Sequence, residues 1–352
     1  MTVVLAMVAA LWGIGIVMKA PYSARFTMIG VLIAAVLLVQ LILPDGHPLR
    51  EATGSDPRVW GLLIGLGIVV WAYTLVFGRV KARARRSQAE AAPKSGGFNE
   101  AELDRYARHI VLREIGGPGQ KALNEARVLV IGAGGLGAPV LQYLAAAGVG
   151  TIGVIDDDLV DNSNLQRQVI HTDARIGMPK VHSAAEAMAA LNPFVTVRPY
   201  QRRLTAQIAD GLFDDYDLVL DGSDNFDTRY LVNRICAQKG IPLIAGALTQ
   251  WEGQISLYDP ANGAPCYECI FPERPAPGLV PSCAEAGVLG PLPGVIGAMM
   301  AVEAIKAITD AGEGLRGRLM IHDALYAETR VMATKPRAEC PVCGAPGEGE
   351  TT

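Results

Sequence analysis

Three long apolar runs open the chain, Val3–Met18, Phe26–Leu43 and Trp60–Phe77, and none of them contains a charged side chain. Each approaches the ~20 residues a helix needs to cross ~30 Å of hydrocarbon, so the pattern predicts three transmembrane helices within a membrane anchor over 1–80. A signal peptide for the first run, or buried core helices, are the competing readings; the first run is the shortest and lacks a basic leading segment and a clear cleavage site. The pattern then changes. Residues 81–98, beginning KARARRSQAEAAPKSGG, are charged and then rich in Ala, Pro, Ser and Gly, with no period that would bury a face, and read as a flexible linker. Asn99-x-x-Glu102 resembles a capping box opening a helix with Leu103, Tyr106 and Ile110 at helical spacing. Short apolar strands follow at Val128–Ile131, Thr151–Ile155, Leu218–Leu220 and Leu243–Ala245, alternating with helical stretches near 138–147, 180–191 and 228–239. That alternation predicts an α/β fold with a Rossmann-like, mostly parallel sheet and right-handed crossovers over 99–345. The Gly/Ala/Met-rich helix Gly294–Ile308 is expected to pack closely on the sheet, and 346–352 to be a disordered tail.

Composition sharpens this division. Half of the 352 residues are apolar and 19 % are charged, but the excess sits in the first 80 or so. A net charge of -4 argues against a general nucleic-acid binder, so no nucleic-acid partner is expected. Basic residues favour the cytoplasmic side of a membrane. Lys19 and Arg25 separate the first two runs, and Arg79, Lys81, Arg83, Arg85 and Arg86 follow the third; Arg50 and Arg58 are diluted by Asp45, Glu51 and Asp56. The expected topology has the N-terminus outside and everything after residue 80 in the cytoplasm.

Chemistry enters at Gly132-Ala-Gly134-Gly135-Leu-Gly137, which follows an apolar strand and opens a helix. Glycines there let the backbone approach phosphates, whose charge is favoured by free N–H groups at a helix start. Asp156 ends the next strand, nineteen residues past Gly137, where a carboxylate can accept hydrogen bonds from ribose hydroxyls. Taken alone the unit suggests NAD and a dehydrogenase. The residues after it do not resemble hydride-transfer equipment: Asp158, then Asn164-Leu-Gln166-Arg167-Gln168, then Pro179-Lys180, then Asp221-Gly-Ser-Asp224-Asn225 after another strand. Cations at that sheet edge can neutralise a triphosphate and Asp224 can hold Mg²⁺.

The ordered series RYARHIVL, GAGGLG, DDDLVDNSNLQRQ, G-x-PK, DGSDN, EGQISLY, CYEC, CAEAGVLGPLPGVIG and CPVC resembles the bacterial E1-like adenylyltransferases of the HesA/MoeB/ThiF family, most closely its molybdopterin-synthase branch, over about residues 99–345. The resemblance implies a homodimer with the adenylation fold of ubiquitin-activating enzymes. Each subunit would bind Mg·ATP and the Gly-Gly tail of a ubiquitin-like sulfur carrier, and adenylate the tail carboxylate for molybdenum cofactor synthesis. It further implies that Gly132, Gly134, Gly135 and Gly137 form the nucleotide loop and that Asp156 binds the ribose. Arg167 and Lys180 would contact phosphates and Asp224 serve the metal, with Asp158, Asn164, Gln168 and Asn225 in the same surround and Arg108 reaching in from the partner subunit. With the anchor, it implies a multi-pass protein of the bacterial inner membrane whose catalytic domain is cytoplasmic; the anchor departs from the family's better-known soluble members.

Cys266-x-x-Cys269 and Cys340-x-x-Cys343 are two knuckles suited to thiolate coordination of Zn²⁺, although about seventy residues separate them and disulfides compete. The resemblance joins both pairs around one structural zinc. Cys283 matches the cysteine that relatives use for thioester or persulfide chemistry, whereas Cys236 reads as core and His109, His171 and His182 as structural. Alternatives are adenylation of the thiamine sulfur carrier, an E1-like tRNA dehydratase (which the paired knuckles disfavour), an NAD-dependent oxidoreductase and a non-enzymatic membrane scaffold.

Overall fold

The computed structural model describes residues 2–18, 21–44, 46–54, 60, 65, 73, 97–275 and 286–344. It divides into two compact units, Met1–Gln88 and Ala89–Thr352.

In the first unit, α1 (Thr2–Val17) and α2 (Tyr22–Ile42) are apolar helices, followed by the short α3 (Pro48–Thr53). At a rise of ~1.5 Å per residue, the 21 residues of α2 match a hydrocarbon core and the 16 of α1 fall short of it. Only Trp60, Gly65 and Tyr73 of the third apolar run are among the described residues, and the rest of that run lies outside them. Among the described residues two helices are long and apolar enough to cross a membrane, Ala24–Ile42 and Pro291–Thr309, so the described structure does not supply the three expected at the N-terminus. The second of the two belongs to the core of the other unit. Gln40, near the end of α2, is buried because its Nε2 donates to Arg50 O at 3.0 Å and Thr53 Oγ1 at 2.8 Å, tying α3 back onto α2. Most of the expected linker, and the expected tail 346–352, lie outside the described residues.

The second unit begins with the anticipated capping box. Asn99 Oδ1 accepts the Glu102 N–H at 2.9 Å and Glu102 Oε2 accepts the Asn99 N–H at 3.0 Å, starting α4 (Glu100–Ile110). After α5 (Gly116–Glu125) come β1 (Arg127–Ile131), α6 (Gly137–Ala147), β2 (Thr151–Ile155), α7 (Lys180–Leu191), β3 (Thr196–Tyr200), α8 (Ala206–Phe213), β4 (Leu218–Asp221), α9 (Phe226–Lys239) and β5 (Leu243–Leu248). The chain continues through β6 (Glu252–Tyr258), α10 (Tyr267–Ile270), α11 (Pro291–Thr309), β7 (Arg318–Asp323) and β8 (Glu328–Ala333).

One eight-stranded sheet runs β3-β2-β1-β4-β5-β6-β7-β8. The first five strands in that order are parallel and the last three are added antiparallel, so the sheet is mixed and not mostly parallel throughout. Apolar runs such as Val128–Ile131 and Leu218–Leu220 are buried on both faces, as strands flanked by crossover helices must be. Helix α11 packs on α6, β5 and β6, and its glycines explain the closeness: a Cβ on Gly297 would lie 2.5 Å from Leu136 O. The order reverses at β1, which pairs with β2 on one side and β4 on the other. Open α/β sheets bind ligands in the crevice at such a point, beyond the carboxyl ends of the strands.

Candidate active site

The glycine loop leaves β1 at that crevice. Gly132 turns the chain with φ +91°, a left-handed conformation that disfavours a side chain, while its N–H donates to Ile155 O at 2.9 Å. The loop then folds back so tightly that a Cβ on Gly137 would sit 1.9 Å from Gly132 O. Gly134 and Gly135 face the segment after β2: a Cβ on Gly134 would meet Gln168 Nε2 at 3.7 Å, and one on Gly135 would meet Arg167 Cδ at 3.8 Å. Here the spacing read from the sequence becomes proximity.

Asp156, at the end of β2, is half-buried and already engaged. Its Oδ2 accepts the Ala133 N–H at 2.8 Å and its Oδ1 the Asp158 N–H at 2.8 Å. Burial pushes its pKa above the ordinary carboxylate value, with these two N–H groups and the Lys180 charge pulling the other way. Asp156 therefore shapes the loop. Lys180, the first residue of α7, has a side chain only 6 % exposed, and its Nζ pairs with Asp158 Oδ2 at 2.7 Å. A buried ammonium needs an anion, and Asp158 serves as one.

Arg167 is half-buried and its Nη1 donates to Ser163 O at 3.2 Å, while Asn164 lies in the same turn and Gln168 is buried. Asp224 is exposed after β4 and makes no hydrogen bond or ion pair with another described residue. Asn225, expected to bind nucleotide, is the N-cap of α9, its Oδ1 accepting the Thr228 N–H at 2.9 Å. Three buried atoms around these segments have no hydrogen-bond partner: Gln168 Oε1, Asp221 Oδ2 and Ser223 Oγ. Buried polar atoms are rarely left so, and a polar ligand in the crevice suits them. Arg108 is exposed on α4 and has no hydrogen bond or ion pair to the glycine loop within its own chain. Cys283 lies outside the described residues.

Two further side chains matter here: Arg229, which the sequence reading did not name, and His171, which it read only as structural. Arg229 is buried, and its Nη2 donates to Ser223 O at 2.5 Å and Gly246 O at 2.7 Å, fastening the loop after β4 to β5. His171 is buried between Ala133 O and Ser183 Oγ. Position five after Asp224 on a capped helix was the available signal for Arg229; an isolated histidine has none.

The four cysteines of the two knuckles meet, with all Sγ atoms within 4.8 Å of one another. Cys266 and Cys340 are 3.5 Å apart, Cys269 and Cys343 3.3 Å, and Cys266 and Cys269 3.9 Å. A tetrahedron with ~2.3 Å Zn–S bonds has sulfur–sulfur edges of about 3.8 Å, so the set fits that ion. All four are free thiols, as is Cys236, which is buried and whose thiol burial pushes well up, in keeping with a core residue. Burial also acts to raise the Cys340 pKa, but the Val342 and Cys343 N–H groups bring it down to about 7.

Comparison with known proteins bears on these features together. The sequence profile of the ThiF family matches residues 106–342. The SAMP-activating enzyme E1 of Haloferax volcanii is 50 % identical over 250 residues, covering 71 % of this chain and 92 % of that protein. The sulfur carrier protein adenylyltransferase of Thermus thermophilus is 49 % identical over 251 residues, covering 70 % and 93 %. Among solved structures, E. coli MccB with ATP superposes with a TM-score of 0.60 at 24 % identity, over 70 % of this chain and 75 % of that one, a likeness of fold alone. With half of the aligned positions identical over nearly the full length of two relatives, and a profile match spanning the whole sheet, the chain belongs to the ThiF family.

Proposed function

We propose that this chain is an adenylyltransferase that activates the C-terminal carboxylate of a ubiquitin-like sulfur carrier with ATP. The observation that carries this reading is the convergence of the glycine loop, Asp156, Arg167, buried Lys180 and Asp224 on one sheet edge in a chain half identical to a sulfur carrier protein adenylyltransferase. A carrier carboxylate oxygen attacks the α-phosphorus of ATP, the bond to the bridging oxygen breaks, and pyrophosphate leaves with the electron pair. The product is a mixed anhydride of carrier and AMP. No nucleophilic side chain is needed, so positioning and charge stabilisation dominate. Free N–H groups of the loop and the start of α6 face the phosphates, Asp156 holds the ribose, and Lys180 exchanges Asp158 for phosphate oxygens. Arg167 adds a second cation, with Asn164 and Gln168 beside it.

Mg²⁺, when bound, would neutralise phosphate charge, and a lone exposed carboxylate such as Asp224 suits an ion that keeps most of its ligands from water and phosphate. Zn²⁺ would cross-link the two knuckles; four thiolates leave no open position, which assigns the cluster to structure. The reading extends to a homodimer in which Arg108 serves the neighbouring subunit, to thioester or persulfide chemistry at Cys283, and to molybdenum cofactor synthesis as the pathway, with the thiamine carrier as the alternative. It also extends to a multi-pass anchor in the bacterial inner membrane, with the catalytic unit in the cytoplasm. Family membership favours adenylation over hydride transfer, and the four-cysteine cluster over an RNA dehydratase.

The test is exchange of labelled pyrophosphate into ATP by the full chain in detergent, with and without a ubiquitin-like carrier ending in Gly-Gly. Carrier-dependent exchange is expected. ATP turnover indifferent to every such carrier would end the reading. The anchor is tested by fractionation, and recovery wholly in the soluble fraction would refute it.

A further inference from the structure

His171 joins three segments that the nucleotide reading requires to be in register. Its backbone N–H donates to Gln168 O at 3.0 Å, in the turn that carries Asn164 and Arg167. Its Nε2 lies 2.9 Å from Ala133 O in the glycine loop, and its Nδ1 lies 2.9 Å from Ser183 Oγ. Ser183 is one turn beyond Lys180 on α7, so the imidazole spans from the loop to the helix that presents the buried ammonium. His171, Ala133 and Ser183 are all buried, which makes an unmet polar group here costly.

These contacts fix the ring's chemistry. A carbonyl oxygen only accepts, so Nε2 carries the proton; in a neutral ring Nδ1 is then the acceptor and Ser183 O–H donates to it. Burial favours the neutral ring, as do the charges of Lys180 and Arg175, whereas the Ala133 carbonyl and Asp156 oppose them. Ala133 is thereby held on both sides, its N–H by Asp156 and its C=O by His171. Such a clamp fixes both peptide planes that meet at Ala133, Gly132–Ala133 through its N–H and Ala133–Gly134 through its C=O, and with them the direction of the next N–H groups in the loop.

We propose that His171, as the Nε2–H tautomer held by Ser183, is a positioning residue for adenylation that sets the spacing between the glycine loop and Lys180. The proposal rests on the reading of this crevice as the ATP site. It differs from a packing role in what it demands of substitutions. A glutamine amide can still donate to Ala133 O, whereas alanine leaves that carbonyl unmet and the loop free to tilt.

The experiment compares full-length wild type, His171→Gln, His171→Ala and Ser183→Ala in detergent, by carrier-dependent pyrophosphate exchange and by calorimetric binding of a non-hydrolysable ATP analogue. His171→Ala is expected to raise KM for ATP and weaken analogue binding about tenfold, the scale of one buried hydrogen bond, with KM for the carrier unchanged. His171→Gln is expected to recover most of that loss, and Ser183→Ala to lose about threefold. ¹⁵N-histidine NMR of the wild type is expected to show the Nε2–H tautomer at His171. Analogue binding by folded His171→Ala equal to wild type, no recovery by glutamine, or an Nδ1–H tautomer would each overturn the proposal. If His171→Ala does not fold, His171→Gln and Ser183→Ala carry the comparison, and a Ser183→Ala protein with unweakened analogue binding overturns it. Absence of carrier-dependent exchange in wild type, with analogue binding intact, would instead sink the proposed function and leave the clamp standing or falling on the binding data.

Discussion

The glycine-loop crevice and the four-cysteine cluster are held together in opposite ways. At the crevice the principal charged and buried groups already have protein partners: Asp156 takes two N–H groups, Lys180 takes Asp158, and His171 takes Ala133 and Ser183, while Gln168 Oε1, Asp221 Oδ2 and Ser223 Oγ are left over. The sheet's packing pre-assembles the site before a nucleotide arrives. At the cluster, four thiols separated by as many as 77 positions in sequence are pressed within 4.8 Å, with only a small apolar surround from residues such as Ile270 and Val342. Backbone N–H groups of Val342 and Cys343 favour the Cys340 thiolate, but several thiolates packed this closely would repel one another unless a cation such as Zn²⁺ joined them. A pre-assembled site spends its interactions on orientation, whereas a cluster closed by a metal would depend on that metal for cohesion. Removing a crevice residue should therefore cost rate, and removing a cluster residue should cost stability.

The largest effect that would break this contrast concerns Asp224. It is exposed and unpaired among the described residues, so Asp224→Ala should leave the thermal midpoint unchanged. Exchange of pyrophosphate should nevertheless fall by about 10²–10³, the scale of losing one electrostatic contact to a reacting phosphate. A variant that melts early, or that keeps its rate, would contradict the assignment. The next effect is at the cluster. Cys269→Ser with Cys340→Ser should lower folding stability by about 2–3 kcal/mol and abolish stoichiometric zinc in elemental analysis, while each molecule still folded keeps exchange within about tenfold of wild type. If the double variant retains its midpoint and loses only rate, the cluster belongs to the chemistry and the contrast fails.

Sequence made one side of this comparison more legible than the other. The crevice could be read because its residues follow strands in a local order: Gly132–Gly137 after β1, Asp156 after β2 and Asp224 after β4 each stand beyond an apolar run. The capping box at Asn99 and Glu102 was visible for the same reason. Strands β6, β7 and β8 were not. In β8 all six residues are exposed, so Glu328–Ala333 shows no buried face to betray its period. Edge strand β3, TVRPY, carries Arg198 and Pro199, which weaken a strand signal. His171 was opaque because its partners, Ala133 and Ser183, are brought to it from two other elements, a relation no periodicity records. In the first unit the first run was already the shortest in sequence, and the structure widens that gap to the five residues that separate α2, which matches a bilayer, from α1, which does not.

The smallest expected effect sharpens the comparison through pH. His171 has a folded-state pKa below its ordinary value of 6.5, burial being the main cause, and it faces Lys180 and Arg175, which stay charged, together with Asp156 and Ser183. Between the lowered value and 6.5 the unfolded chain binds the extra proton, so its contribution to stability is whole above 6.5 and shrinks as pH falls below it. Asp156 has the opposite sign: its pKa is raised above 3.8, so acidification relieves the cost of a buried carboxylate, but only in the window just above that value. From about pH 7.5 down to about pH 6 the His171 term acts before the Asp156 term. Thermal midpoints of wild type and His171→Gln, measured with zinc bound across that range, should run parallel at the upper end and converge as pH falls, because only wild type has a proton to take up at that position. Acid loss of zinc from the cluster would lower both proteins equally and cancels in the difference. Parallel curves throughout would mean that the ring is not held neutral by Ala133 and Ser183, and the pre-assembled character of the crevice would lose its main buried link.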